Sequence, residues 1–387
     1  MDYKIYPAPL GGTIAAIPSK SDVHRLLICA ALSDKRTEIF CPAVSEDITA
    51  TARCLTALGA EIQYSGGVFS VLPIREVPEN PTLDCGESGS TLRFMLPVAA
   101  AICERASFIG RGRLPERPIG DLRTAMEAHG AHFSADRLPF AVSGGLSGGA
   151  FSLPGNVSSQ YITGLLLALP AVGGGEVRLT TPLQSASYVE MTKRAMGKFG
   201  VNVNGLAVSG SYRSPGAVIA EGDWSNAAFF IIAGASVTGL DPASPQGDRV
   251  IFENLARLDR GECVDLTDTP DMLPALAVYA AMHKGGSFTG IERLRIKESD
   301  RIMTVKNMIN SLGGAARDHG ERFTVEPQPL TGGRCDSASD HRIAMAAAIG
   351  ASLGTHTSVI CGGECVNKSY PGFWEDFRLL GGRFDVL

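Results

Sequence analysis

One pattern of apolar and polar positions recurs along the chain: an amphipathic helix, then a glycine, then an alternating strand. It closes at Leu58-Gly59-Ala60, His129-Gly130-Ala131, Phe199-Gly200-Val201, Leu312-Gly313-Gly314 and Leu380-Gly381-Gly382. In the helical part apolar residues return every third or fourth position, and in the strand part every second. Glycine suits the left-handed position that ends a helix. Successive glycines stand 71, 70, 113 and 68 residues apart. The long gap has room for one weaker unit ending near Gly261, in LARLDRGECVDL. Fixed-period logic then gives six units of about 50–70 residues.

Helices are expected over 21–32, 46–58, 89–103, 121–129, 159–169, 187–199, 225–235, 271–283, 299–312, 340–353 and 371–380, with strands between them, as at 150–153 and 176–181. Alternating helices and strands predict α/β or α+β layering. At 387 residues the chain is long enough for two cores, so six units suggest two domains of three. The stretches 13–18 and 219–230 are where the chain would pass between them.

Composition narrows the function classes. Charged residues make up 19% and the formal net charge is −5, so no bulk basic excess exists to hold nucleic acid or an anionic membrane. Aromatics are only 7%, too few for a base-stacking surface. No apolar stretch is long enough to cross a bilayer. The opening MDYKIYPAPLGG has no signal-peptide pattern, so a cytoplasmic location is expected. The nine cysteines are odd in number and scattered, which reads as reduced thiols. Cys361 and Cys365, the only close pair, have no partner ligands at metal spacing and read as small buried hydrophobes.

Several expected helix starts carry cations. They are Ser19-Lys20-Ser21-Asp22 with Arg25, Ser88-Gly89-Ser90-Thr91 with Arg93, Lys297-Glu298-Ser299-Asp300 with Arg301, and Asp340-His341-Arg342. Ser or Asp as N-cap is ordinary. A cation there is not, because the first turn is already partly positive. It makes sense if an anion joins the free N–H groups. Ser158, Ser159 and Gln160 form a further capped start with neutral donors. Asp271 and Glu298 are carboxylates among cations, suited to general acid and base work, and His341 beside Arg342 could tune or transfer a proton. Each also has a plainer reading, as helix cap, surface ion pair or structural histidine. No dinucleotide fingerprint, phosphate-binding Walker loop, nucleophilic serine elbow or coherent metal set is present. The expected chemistry therefore uses no cofactor and no metal.

The motifs taken together are familiar. PSKSDVHRLLICAAL (18–32), GESGSTLRFML (86–96), LPERPIGDL (114–122), SSQYITGLLLALP (158–170) and SASYVEMTKRAMGKFG (185–200) stand in one order with EGDWSNAAFF (221–230), TPDMLPALA (269–277), LRIKESDRI (294–302), SDHRIAMAAA (339–348) and NKSYPGFWEDF (367–377). This order resembles the 5-enolpyruvylshikimate-3-phosphate synthase family over nearly the whole chain. The pair LRIKESDR and DHRIAM is highly specific.

The resemblance implies a fold of two inverted α/β barrel-like domains, each of three βαβαββ repeats. One would be discontinuous, 1–13 plus 221–387, and carry the phosphoenolpyruvate and acid/base residues. The other, 14–220, would bind shikimate 3-phosphate, with the ligands between them. It implies transfer of enolpyruvyl from phosphoenolpyruvate to the 5-hydroxyl of shikimate 3-phosphate, by addition and elimination, on the route to chorismate and the aromatic amino acids. By matching motif, Lys20 touches both substrates. Ser21, Arg25, Ser158, Ser159, Ser185, Tyr188 and Lys297 bind shikimate 3-phosphate, and Gln160 is shared. Gly89, Arg117, Arg301, Arg342 and Lys368 hold phosphoenolpyruvate. Asp271 orients and deprotonates the hydroxyl, Glu298 with Lys20 nearby protonates the enol carbon, and His341 supports the site. A monomer is expected. Gly89 is the small residue that leaves room for the inhibitor glyphosate.

Two positions depart from the family pattern. Glu87 stands where Asn is usual, and Arg293 where some members have Asn. The sister family acting on UDP-N-acetylglucosamine would show Lys-Asn in the first loop and a Cys in the mobile loop. Here those places read Lys20-Ser21 and RGRLPERP. A non-catalytic binder on the same fold would lack Asp271 or Glu298, and both are present.

Overall fold

A computed structural model describes all of residues 1–387. Its contacts divide the chain into two units, one of Met1–Ile17 with Glu221–Leu387 and one of Pro18–Ala220. Residues 14–17 fall on the N-terminal side of this division, unlike in the sequence reading. The cause is that strand Thr13–Ala15 pairs in parallel with Ser236–Thr238.

The 18–220 unit holds three four-stranded sheets. The pattern is clearest in the second, where strand Thr82–Asp84, helix Gly89–Ile102, strand Arg105–Ile109, helix Gly120–Glu127 and the hairpin of His132–Phe133 with Phe140–Ser143 follow one another. The first two strands pair in parallel, Leu83 opposite Phe108, and the hairpin adds antiparallel, Phe108 opposite Phe140. The third sheet repeats this from Gly149–Leu153 to Ala207–Ser209. In the first sheet the leading strand is Ala217–Ile219, which returns from the far end of the unit to pair with Thr37–Phe40.

The other unit repeats the scheme with two four-stranded sheets, one begun by Cys263–Asp265 and one begun by Arg334–Asp336. The latter takes its central strand, Asp2–Tyr6, from the N-terminus. The remaining sheet keeps only the parallel pair Thr13–Ala15 and Ser236–Thr238, with no hairpin. Six sheets thus answer to six sequence units, one of them trimmed.

Each unit encloses its own apolar core. The helix that follows a leading strand is buried on nearly all sides. In His341–Leu353 every residue but the last is buried, and in Gly89–Ile102 only Ser90, Ala101 and Ile102 are not. The second helix of a repeat lies nearer the surface and is amphipathic, as Glu46–Ala57 and Ala186–Lys198 are. The glycines of the recurring pattern take the left-handed conformation, with Gly59 at φ +102° and Gly261 at +73°. That conformation ends a helix without Cβ strain. Helix Ile251–Asp259, missing from the expected set, precedes Gly261 and completes the sixth unit.

The site-bearing helix starts differ in detail from expectation. The 299–312 helix begins at Arg301, because Asp300 caps it by accepting from the Met303 N–H at 3.1 Å. The 271–283 helix opens with a 3-10 turn, Pro270–Met272, before Leu273–Met282. No helix is long and apolar enough to cross a membrane.

Candidate functional site

The two groups of candidate residues are built separately, one in each unit. In 18–220, helix Lys20–Ala31 starts with Lys20, whose Nζ lies 2.8 Å from Asp47 Oδ2. Its N-cap Ser19 makes no side-chain capping bond. One turn on, Arg25 is buried. Its Nε donates to Thr192 Oγ1 at 2.8 Å, and Nη2 donates to the Tyr188 carbonyl at 2.9 Å and Thr163 Oγ1 at 3.3 Å. Burial lowers the Arg25 guanidinium to about 10, so it stays a cation at neutral pH. Arg25 and Tyr188, far apart in the sequence, therefore meet through the Tyr188 backbone.

Ser158 caps helix Ser159–Ala168 by accepting from the Gln160 N–H at 3.3 Å. The Gln160 side chain is held at both ends. Its Oε1 accepts from Arg93 Nη1 at 2.6 Å and its Nε2 donates to Ser90 Oγ at 2.8 Å. Ser185 precedes helix Ala186–Lys198 in a left-handed conformation, φ +55°. For a serine this is uncommon and marks a turn shaped by its surroundings.

Gly89 opens helix Gly89–Ile102 after the Ser88 cap. A Cβ there would strike the Arg117 guanidinium, 2.6 Å from Cζ, so the missing side chain is what lets Arg117 lie against the turn. Glu87 bends onto the turn that leads toward Arg117. A Cβ on Gly112, which has φ +59°, would lie 2.6 Å from the Glu87 Cδ.

In the other unit, five candidates share one ion cluster centred on Arg301, which is 1% exposed. Its Nη1 donates to Asp271 Oδ1 at 2.6 Å and its Nη2 to Glu298 Oε2 at 2.6 Å. Its Nε donates to Asp340 Oδ2 at 3.0 Å. Asp271 also faces Lys297 Nζ at 3.5 Å and Arg342 Nη2 at 3.3 Å. Burial disfavours the Asp271 carboxylate, but Arg342, Lys297 and Arg301 outweigh it and hold its carboxyl well below the usual range. Burial dominates at Lys297, where the ammonium is lowered despite Asp271. At Arg301 burial is overcome by Asp340, Glu298 and Asp271, and the guanidinium is raised.

His341 and Arg342 form the first turn of helix His341–Leu353 and are both buried. Lys368 ends the turn Gly363–Lys368, and its Nζ donates to the Ser339 carbonyl at 2.9 Å. It thus reaches the loop before Asp340. Arg293 donates to the Thr267 carbonyl.

Some participants were missed by sequence reasoning. Asp340 is fully buried, accepts from Arg301 and from Ser299 Oγ at 2.9 Å, and caps its helix through the Arg342 N–H at 3.0 Å. Its N-cap role was legible, but its pairing with a residue 39 positions away was not. Asp47 resembles any first-turn acid. Asp248 is buried, and burial pushes it up to about 6 against the pull of Arg342. It sits in an ordinary polar run with no signal of its own.

The profile of the EPSP synthase (3-phosphoshikimate 1-carboxyvinyltransferase) family matches residues 6–255 and 243–377. The chain is 38% identical to the 3-phosphoshikimate 1-carboxyvinyltransferase of Clostridium kluyveri, covering 98% of this chain and 97% of that one. It is 36% identical to the protein of the same name from Clostridium novyi, over 99% and 98% of the two chains. A solved structure of EPSP synthase from Acinetobacter baumannii superposes with a TM-score of 0.81 over the full length of both chains, at 22% identity.

Proposed function

The chain belongs to the EPSP synthase (3-phosphoshikimate 1-carboxyvinyltransferase) family, and from that premise we propose that it transfers the enolpyruvyl group of phosphoenolpyruvate to the 5-hydroxyl of shikimate 3-phosphate. The observation that carries the proposal is the pairing of two carboxylates, Asp271 and Glu298, on one buried guanidinium, Arg301. Lys297 and Arg342 also face Asp271, and Asp340 also pairs with Arg301, so the cluster gathers three cations and three carboxylates. Such a set suits two anionic reactants and one proton moved in each direction.

In this reading Lys20, Ser21, Arg25, Ser158, Ser159, Gln160, Ser185, Tyr188 and Lys297 hold shikimate 3-phosphate. Gly89, Arg117, Arg301, Arg342 and Lys368 hold phosphoenolpyruvate, with Lys20 and Gln160 contributing. The 5-hydroxyl oxygen attacks C2 of phosphoenolpyruvate as Asp271 takes the hydroxyl proton. Glu298 gives a proton to C3, and a tetrahedral intermediate results. Glu298, now a carboxylate, takes a C3 proton back as the C2–C3 double bond re-forms and the C2–O bond to phosphate breaks, and the phosphate leaves with the proton held by Asp271. His341 supports Arg342 at the helix start.

The low basicity of Asp271 is consistent with this role. With no ligand, Arg301, Arg342 and Lys297 are neutralised partly by Asp271. When the carboxylate and phosphate of the substrates take over those cations, Asp271 loses that stabilisation and becomes a stronger base. The substrates thereby activate the group that deprotonates one of them.

A soluble cytoplasmic setting and small-molecule substrates alone fit the reading. Mass spectrometry of a reaction containing both substrates is its direct test. A product heavier than shikimate 3-phosphate by one enolpyruvyl group supports it, and recovery of only the two starting compounds rejects it.

A further inference from the structure

Four buried polar side chains join end to end inside the 18–220 unit. His24 Nδ1 lies 2.7 Å from Thr51 Oγ1, Thr51 Oγ1 lies 2.7 Å from Thr91 Oγ1, and Thr91 Oγ1 lies 2.9 Å from Ser88 Oγ. None is more than 1% exposed. His24 belongs to the helix that starts at Lys20, Thr51 to helix Glu46–Ala57, and Thr91 to the helix that starts at Gly89.

The protons on this chain are determined by its far end. Ser88 Oγ accepts from the Thr91 N–H at 3.2 Å and from the Thr91 hydroxyl. The Asp47 carbonyl is a further acceptor for that hydroxyl at 3.4 Å, and the Thr51–Thr91 contact taken alone allows either hydroxyl to donate. With the Thr91 proton on Ser88 Oγ, none is left for Thr51. Thr91 therefore accepts from Thr51, and Thr51, its own proton committed, accepts from His24 Nδ1. His24 is then the Nδ1–H tautomer with a bare lone pair at Nε2, an atom buried without a hydrogen-bond partner. The reverse arrangement would bury an unpaired N–H donor at Nε2. An imidazolium would do the same and add a charge, which burial and the neighbouring Lys20 and Arg25 disfavour.

The chain joins elements that the proposed site uses. Lys20 Nζ is paired with Asp47 Oδ2, and the Asp47 carbonyl is the second acceptor for Thr91. Ser88 precedes Gly89, the residue against which the Arg117 guanidinium rests.

We propose that His24 is a positioning residue. As Nδ1–H donor at the head of a one-way hydrogen-bond chain through Thr51 and Thr91, it sets the rotamer of Ser88 and with it the Ser88-Gly89 turn that seats Arg117. The consequence for catalysis rests on the function proposed above, in which that turn binds phosphoenolpyruvate.

Nitrogen-15 NMR of the histidine side chains, with His24 assigned by the signal lost in His24→Gln, reads the tautomer directly. The expected result is a neutral ring protonated at Nδ1, and an Nε2–H ring overturns the proposal. Kinetics supply the second arm. Thr51→Val keeps the shape but can neither accept from His24 nor donate to Thr91. It is expected to raise KM for phosphoenolpyruvate roughly five- to tenfold with KM for shikimate 3-phosphate unchanged. Thr51→Ser, which retains the hydroxyl, should restore the parental value. An unchanged KM for phosphoenolpyruvate in Thr51→Val, or an equal rise for both substrates, overturns the positioning role. If the parent protein turns over neither substrate, the functional reading has failed, and the tautomer alone decides the chain.

Discussion

Arg301 donates from Nη1 to Asp271 Oδ1 at 2.6 Å, so the carboxylate proposed as base is ion-paired to a guanidinium that is only 1% exposed. Replacing Asp271 with Asn removes the base without removing bulk. Turnover should fall roughly 10²- to 10⁴-fold. Phosphoenolpyruvate should bind at least as tightly as before, because Arg301, Arg342 and Lys297 lose a competing anion. Calorimetric titration beside steady-state kinetics separates the two effects, and near-parental turnover would remove Asp271 from the mechanism.

Glu298 shares Arg301 with Asp271 but is bonded to a different nitrogen, Nη2 at 2.6 Å. Glu298→Gln keeps a hydrogen-bonding amide there and cannot deliver a carboxyl proton. A loss of turnover of the same order is expected, roughly 10²-fold or more, with both substrates still bound. A variant with normal turnover would require another proton donor to the enol carbon.

The ion pairing of Asp271 should also appear in stability. Its folded pKa lies below the ordinary value of 3.8. The stabilisation is therefore complete above that value and is lost as pH falls through the folded pKa, where the unfolded chain already carries the proton. Urea midpoints measured from about pH 6 down to about pH 3 should drop less steeply in Asp271→Asn than in the parent. Parallel curves would contradict the pairing.

Asp340 is fully buried and accepts from Arg301, Ser299 and the Arg342 N–H. Asp340→Ala leaves Arg301 short of one anion in a dry environment and removes a helix cap. A loss of about 3 kcal/mol is expected, visible as a lower thermal midpoint. Because Asp271 and Glu298 still face Arg301, the fold should survive.

Gly89→Ala places a methyl group against the Arg117 guanidinium. The side chain is flexible enough to move, so stability should change little. KM for phosphoenolpyruvate should rise while binding of shikimate 3-phosphate is retained. Equal losses for both ligands would argue against assigning Arg117 to phosphoenolpyruvate.

Much of this was legible in the chain. The helix–glycine–strand pattern yielded six units because a left-handed glycine ends each one, Gly59 and Gly381 alike. The trimmed repeat was harder to see, since its two strands, Thr13–Ala15 and Ser236–Thr238, lie far apart in sequence and pair only in three dimensions. Lys297, Glu298 and Arg301 could be grouped because they occupy one helix start. Asp340 and Asp47 could not be linked to Arg301 and Lys20, because short-range patterns carry no information on long-range ion pairs. The cation-rich first turns were the strongest local clue, since they run against the preference of a helix N-terminus.

Phosphate release from phosphoenolpyruvate, measured with and without shikimate 3-phosphate and in the presence of a chelator, tests the central claim most directly. The account predicts release only when both substrates are present, at a rate the chelator leaves unchanged. Release from phosphoenolpyruvate alone, or none with both, would contradict it.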